Sequence, residues 1–420
     1  MSAQPLSCLF DHDNPADLAA YRAVGGYEGL RKALAMTPED LIALVEKSGL
    51  RGCGGAGFPT GVKWRLRGLD APEPRYLVCN LDETEPGSFK DRALLFGAPQ
   101  QILEGMLIAA HALGVQEAFL FIRGEYAAGA EVFARALRAA DAAGLLDLPA
   151  GRLQLDIHLS LGRYICGEDS AILNAIEGRR PNPRKKPPHI SQKGLWQQPT
   201  TVNNAESFAQ IPGILREGLD TYRAWGVNGG VGSKLYSVCG PVQRPGVFEL
   251  PMGTPMHELL YEHAGGPLAG REIRAVLPGG ASTPFVLPKD FATPMHFDAM
   301  AKIGSRLGTG GCIVLDNQHC PLDFLIATTR FYARESCGFC TPCREGLPYL
   351  LWLLERIERG EGKMQDLDKI DSLGKEIAPN SFCALAPGAL MPLLSGMVIF
   401  HDEIAAHVTQ GHCPYTVQHG

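Results

Sequence analysis

Three cysteines within seven residues, in ESCGFCTPCREG (335–346), constrain this chain more than any other feature. The spacing C-x2-C-x2-C lets Cys337, Cys340 and Cys343 converge from one tight loop onto one face of a cubane, and it is the local run seen among ligands of [4Fe–4S] clusters. Such a cluster needs a fourth thiolate from elsewhere. Cys383, in APNSFCALAPGA, lies past one helical hairpin with loop formers on both sides and is the expected fourth ligand. Structural zinc is the competing reading, but zinc usually draws on two separated cysteine pairs. The N-terminal MSAQPLSCLFDHDNPADL has no positive n-region and no apolar h-region, so a secretory signal and a disulfide framework are not expected. Most of the 12 cysteines are scattered, and those in apolar runs, such as Cys79, Cys239 and Cys312, read as small core residues.

Before the cysteine loop the chain alternates. TPEDLIALVEKSG (37–49) carries the marks of a capped helix: Thr37 as N-cap, Pro38 at the first position, acids in the first turn and Gly49 at the end. Strand-like YLVCN (76–80), AFLFI (118–122) and LQLDIHLSL (153–161) are separated by helical PQQILEGMLIAAHALG (99–114) and YAAGAEVFARALRAAD (126–141), with helical EDSAILNAIE (168–177) after the third. This alternation predicts a mostly parallel α/β sheet. Residues 178–199 hold five prolines, six Lys or Arg and no acid, and form a long basic loop. From about 232 to 318 the texture changes to short β-like runs with one helix, TPMHELLYEHAG, which suggests a small α+β module. After Pro321 the pattern is helical again. The predicted organisation is therefore a helical segment over 1–50, an α/β domain over 51–231, a small module over 232–318 and a helical bundle over 319–420. A net charge of −6 discourages binding to nucleic acid, and GALMPLLSGMVIF (388–400) is too short to span a bilayer.

Four further stretches carry polar chemistry. RGCGGAGFPTG (51–61) has five glycines in eleven residues and could cradle phosphate, although it is neither a Walker loop nor a strand-following fingerprint. By itself it equally suits a tight turn. CNLDETEPGSFKDR (79–92) follows a strand end, where ligands of α/β sheets sit, yet alone it reads as a solvated acidic turn. Glu168 and Asp169 open a helix, where acids suit the helix dipole. Asn203 and Asn204 look like a helix start whose amides suit a phosphate or a polar ring.

Taken in order, RGCGGAGFPTGVKW, CNLDETEPGSFKDR, YICGEDSAILNAIEG, RKKPPH, GLWQQPTTVNNAESF and ESCGFCTPCREG resemble the motifs of the NADH-binding flavoprotein subunit of respiratory complex I, a family that includes diaphorase subunits of NAD-linked hydrogenases and formate dehydrogenases. The resemblance runs from about residue 25 to 410. It implies an α/β fold: a Rossmann-like FMN-binding domain, a ubiquitin-like α+β module and a C-terminal helical bundle holding a [4Fe–4S] cluster. It assigns FMN to Gly52, Gly54, Gly55, Lys63, Asn80, Asp82, Gly167, Glu168, Asn203 and Asn204, and NADH to Phe58, Glu85, Asp169 and Lys186. Four positions depart from the family pattern: Cys53 for Arg, Asp169 for Glu, and His189 and Leu66 for stacking Phe residues. The implied activity is hydride transfer from NADH to FMN, then single electrons to the cluster and onward through partner subunits, among them a small iron–sulfur subunit, toward quinone. The implied setting is cytoplasmic, without direct membrane insertion, or peripheral at the inner face of a membrane through those partners. Two alternatives stand beside it: the diaphorase subunit of a soluble formate dehydrogenase or hydrogenase, and a cluster scaffold with a decayed NADH site.

Overall fold

The computed structural model describes residues 5–7, 10, 12–68 and 70–415. Its first sheet holds four parallel strands, β1 (Tyr76–Leu81), β2 (Glu117–Ile122), β3 (Gln154–Leu159) and β4 (Thr200–Asn204), in the order β3-β2-β1-β4. Three of these are the strands expected from the apolar runs. The fourth is not among those expected: the paired asparagines of QPTTVNN read as a helix start, and Asn204 does cap the helix that begins at Ala205, but strand β4 runs up to that cap. Its short, polar sequence gives no alternation to read, and pairing with β1 imposes the strand.

The helices around this sheet are α1 (Pro38–Ser48), α2 (Thr60–Arg67), α3 (Pro99–Leu113), α4 (Ala127–Ala142), α5 (Asp169–Ile176) and α6 (Ala205–Glu217). Helix α1 is capped as its sequence dictates, with the Thr37 hydroxyl accepting from Asp40 N–H at 3.2 Å and Gly49 left-handed at φ 77°. Helix α3 is buried on every face, as a helix apolar all round must be. Its one carboxylate, Glu104, is fully paired, accepting from Tyr21 OH at 2.6 Å and from the Tyr27 and Leu30 N–H groups at 2.9 Å each. The N-terminal helical residues thereby share one hydrophobic core with the α/β layer. Gly105 is required here, because a Cβ would lie 2.0 Å from the Phe208 carbonyl oxygen of α6.

A second sheet follows, with β5 (Ser233–Cys239), β6 (Gly246–Pro251), β7 (Ile273–Leu277) and β8 (Gly311–Asp316) in the order β6-β5-β8-β7. Only the central β5–β8 pair is parallel. The last part is helical: α7 (Pro321–Glu335), α8 (Thr341–Glu358), α9 (Met364–Asn380), α10 (Leu385–Ile399) and α11 (His401–Gln410), packed on a core that also takes in Ile172 and Leu173 of α5. Among the described residues no single helix is long and apolar enough to cross a membrane.

Candidate functional site

The chain runs β1, β2, β3 toward one edge of the first sheet and then returns to place β4 on the other side of β1. Ligands of open α/β sheets bind where the strand order reverses in this way, beyond the carboxyl ends of the strands. The register sets Cys79 opposite Asn203 and Asn80 opposite Asn204, so the acidic loop after β1 and the paired asparagines meet at that point. A cavity of about 400 Å³ opens there. Its wall includes every residue expected to hold flavin or nicotinamide nucleotide except Lys186: Gly52, Gly54, Gly55, Phe58, Lys63, Asn80, Asp82, Glu85, Gly167, Glu168, Asp169, Asn203 and Asn204.

The glycine loop forms one side. Gly52 N–H donates to Phe58 O at 2.8 Å, folding the loop back on itself just before α2 begins. Gly57, at φ 65°, lets the loop lie on Phe297, whose ring would stand 2.4 Å from a Cβ. Lys63, in the first turn of α2, donates to Val202 O at 2.9 Å, and burial pushes its ammonium pKa down. A cation held this way gains from any anion brought beside it. The asparagines are both engaged. Asn203 Oδ1 accepts from Trp64 Nε1 at 3.0 Å, while Asn204 caps α6 through Glu206 N–H and donates to Asp91 at 2.6 Å.

The carboxylates differ sharply in what they lack. Asp82 Oδ1 accepts from the Ser160 hydroxyl, but its buried Oδ2 has no donor among the described residues. Burial pushes this carboxyl up to about 6, against the Ser160 hydrogen bond. Such an orphaned acceptor fits a ligand N–H or O–H. Glu85 is tied to three parts of the molecule: Tyr164 OH at 2.7 Å, Ser282 N at 2.7 Å and Tyr332 OH at 3.4 Å. Glu168 is the true cap of α5, accepting from Ser170 N at 2.9 Å and Ala171 N at 2.8 Å. Asp169 is therefore not needed as a cap. It pairs instead with Lys186 of the basic loop at 2.5 Å, and Lys186 also reaches Glu168 at 2.9 Å. Burial opposes ionisation of Asp169, but its bond with Glu168 and the Lys186 charge prevail and hold its pKa below the ordinary value. Phe58 is 45% exposed, leaving its ring accessible. Leu66 and His189 stand outside the cavity wall on exposed surface.

The cysteines define a second, smaller cavity next to the first, lined by Cys337, Cys340, Cys343 and Cys383 with Pro183, Phe339 and Phe382. The loop is held by α5's basic neighbour Arg180, which donates to Cys337 O at 2.5 Å, and by Arg344 on Gly338 O at 2.9 Å. Phe382 N–H points at Cys340 Sγ at 3.5 Å, and the Ser336 hydroxyl lies 3.1 Å from Cys343 Sγ. Cys383 and Leu385 line both cavities, so one thin wall separates them.

Sequence reasoning missed what lies behind the flavin-sized cavity. Lys90 meets Asp91 at 2.6 Å and Glu206 at 2.9 Å, and Lys234 meets Glu206 at 3.0 Å, all four side chains at most 5% exposed. Lys90 and Asp91 are neighbours in sequence, but Glu206 and Lys234 are far from them, and only the fold joins the four. It also missed Ser282, Arg306 and Thr309, which the second-sheet region lends to the cavity wall.

A parallel sheet with a polar cavity at its switch point, one wall away from four gathered thiols, defines a flavin- and cluster-bearing redox protein. Comparison with known proteins makes the class specific. Residues 45–213 match the family described as Nuo51 FMN-binding domain, residues 323–407 the NADH-ubiquinone oxidoreductase-F iron-sulfur binding region, and residues 235–286 the SLBB domain. The chain is 44% identical over 403 residues to the F 2 subunit of NADH-quinone oxidoreductase from Rhizobium meliloti, covering 95% of this chain and 96% of that one. It is 43% identical to the F subunit of NADH-quinone oxidoreductase from Escherichia coli, covering 96% of this chain and 92% of that one. The crystal structure of an NAD+-reducing [NiFe]-hydrogenase in the air-oxidised state superposes with a TM-score of 0.83 at 32% identity, over 96% of this chain and 67% of the hydrogenase chain. In the H2-reduced state of such an enzyme the TM-score is 0.81 at 32% identity, over 98% of this chain and 65% of that chain. This chain therefore belongs to the F-subunit family of NADH-quinone oxidoreductase.

Proposed function

We propose that this protein is the NADH-oxidising flavoprotein subunit of an NADH:quinone oxidoreductase, with FMN in the larger cavity and a [4Fe–4S] cluster among Cys337, Cys340, Cys343 and Cys383. The single observation that carries this reading is the shared wall: Cys383 and Leu385 face both cavities, so a group in one has a short path to a group in the other. Bound FMN supplies the chemistry of accepting a hydride and releasing electrons singly. The protein's part is to bind, orient and tune.

In this reading the backbone of Gly52, Gly54 and Gly55 and the Lys63 ammonium receive the flavin phosphate side. Asp82, with one oxygen unpartnered, accepts a flavin donor, while Asn80, Asn203, Asn204, Gly167 and Glu168 fix the remaining polar edge. NADH enters past Phe58, whose ring offers a stacking face. Lys186 would supply a cation for the pyrophosphate, and Glu85 and Asp169 would accept from ribose hydroxyls. Hydride transfer itself asks no proton of these side chains, so none is given an acid or base role.

Near-complete alignment with the quinone-linked relatives, against 65% of a hydrogenase chain, favours the quinone-linked complex over the hydrogenase diaphorase as parent. Delivery of electrons to quinone requires partner subunits, and this reading puts the protein with them in the cytoplasm, peripheral to a membrane. The test is anaerobic addition of NADH to the purified protein. A bleached flavin band, with FMN and not FAD released by acid, supports the reading. An unbleached flavin leaves only the cluster scaffold, and released FAD removes the FMN assignment.

A further inference from the structure

At the end of the α7–α8 hairpin opposite the cysteine loop, a second set of metal-ligand side chains converges. Cys320 precedes α7, Glu358 ends α8, His407 lies in α11, and Cys413 follows it. One ligand atom from each lies within 4.8 Å of every other. Cys320 Sγ is 3.4 Å from His407 Nε2, and that nitrogen is 3.3 Å from Glu358 Oε2. In a tetrahedron with Zn–S of about 2.3 Å and Zn–N and Zn–O of about 2.0–2.2 Å, these two edges come to about 3.5 and 3.4 Å.

The histidine is prepared for coordination. Its Nδ1 sits 2.8 Å from Glu403 O, and a carbonyl only accepts, so Nδ1 carries the proton and Nε2 presents a lone pair to the cysteine side. This is the outer-shell arrangement usual for metal-bound imidazole. His407 is fully buried and Cys413 is 6% exposed. The backbone is shaped to deliver Cys413. Gly411, at φ 71°, reverses the chain after α11, and its carbonyl would stand 2.0 Å from a Cβ on Gly360, itself at φ 72°. Beyond the cysteine, Tyr415 is anchored by Arg274 at 2.8 Å.

We propose that Cys320, Glu358, His407 and Cys413 form a structural Zn²⁺ site that clamps the far end of the helical bundle. Two thiolates, an imidazole and a carboxylate suit a borderline-soft tetrahedral ion, and four protein ligands leave no position open for chemistry. Binding releases the two thiol protons to solvent. Helix α7 spans 15 residues, so at 1.5 Å per residue this ion stands roughly 20 Å from the cluster loop and outside the electron path.

The experiment is elemental analysis of the full-length protein carrying its iron–sulfur cluster, in the wild type and in Cys413→Ser, Cys320→Ser and His407→Ala. The expected result is a zinc-to-chain ratio of about one, falling to near zero in the variants while iron and the reduced EPR signal persist. Cys340→Ser should do the reverse and keep its zinc. Should the first three variants fail to fold, wild-type protein exchanged with Co²⁺ answers the question: a thiolate-to-cobalt charge-transfer band supports the site. Absence of zinc from the wild type, zinc unchanged in all three variants, no cobalt–thiolate band, or a Cys320–Cys413 disulfide in the isolated protein would each overturn it.

Discussion

The larger cavity and the ionic group behind it are built from the same kinds of residue and used in opposite ways. Lys90, Asp91, Glu206 and Lys234 are as buried as any groups in the molecule, yet every charge has a partner. Burial alone would raise the Glu206 pKa, but Lys234 and Lys90 hold it below the ordinary value, and Leu235 N–H adds a bond at 2.9 Å. In the cavity, the Lys63 ammonium donates to a carbonyl, and Asp82 keeps an oxygen without a donor among the described residues. Asn204 touches both regions, capping α6 and bonding Asp91. Both regions are buried; they differ in how completely these particular groups are paired. Groups that satisfy one another hold the α/β layer to the second sheet, while Lys63 and Asp82 at the cavity keep capacity for a ligand.

The largest effect is expected at the paired side. Replacing Lys234 by Met leaves Glu206 with one cation fewer in a dry site, and breaking a buried pair costs about 3–5 kcal/mol. Urea denaturation followed by circular dichroism should show that loss, with FMN content per folded chain unchanged. A shift below about 1 kcal/mol would mean the four charges do not act as a unit.

Asp82→Asn tests the unpaired side by its sign. The folded pKa of about 6 lies above the ordinary 3.8, so the native state keeps a proton that the unfolded chain has lost between those values. Stability of the flavin-free protein therefore falls as pH rises through this window, by roughly 3 kcal/mol at most. The Asn variant should melt with the wild type below pH 4 and above it in temperature beyond pH 6, while binding FMN more weakly. An Asn variant that is less stable at pH 7 would show that Asp82 is satisfied without ligand.

Lys63→Met should follow the same logic with a smaller effect. Flavin affinity should drop about 10–100-fold, the equivalent of about 1.5–3 kcal/mol for a charge-assisted bond, as read by flavin titration. The flavin-free protein should lose no stability, since the variant buries no charge. Asp169→Asn is the finest probe. It releases Lys186 from one carboxylate and removes a charge that would repel the extra phosphate of NADPH. The NADH-to-NADPH ratio of kcat/KM should narrow about 10-fold, or about 1.4 kcal/mol, with an artificial acceptor. Because Glu168 caps the helix, an unchanged ratio would place Asp169 outside the nucleotide site.

What the sequence determined by itself was local. The cysteine loop, the caps of α1, three strands and the family motifs all rest on residues a few positions apart, where backbone geometry and helix or strand period act directly. The strand Thr200–Asn204 was invisible because its polar residues carry no period, and its pairing with β1 is what creates the switch point and sets Asn80 against Asn204. Tertiary structure also decided which acid caps α5, Glu168 rather than Asp169, since either suits a helix start and only side-chain direction distinguishes them. It joined Lys90 to Glu206 and Glu206 to Lys234, and brought together Cys320 and Cys413, which flank the bundle in sequence. Charges and thiols act over a few ångströms of space whatever their separation along the chain, and that separation is all a sequence records.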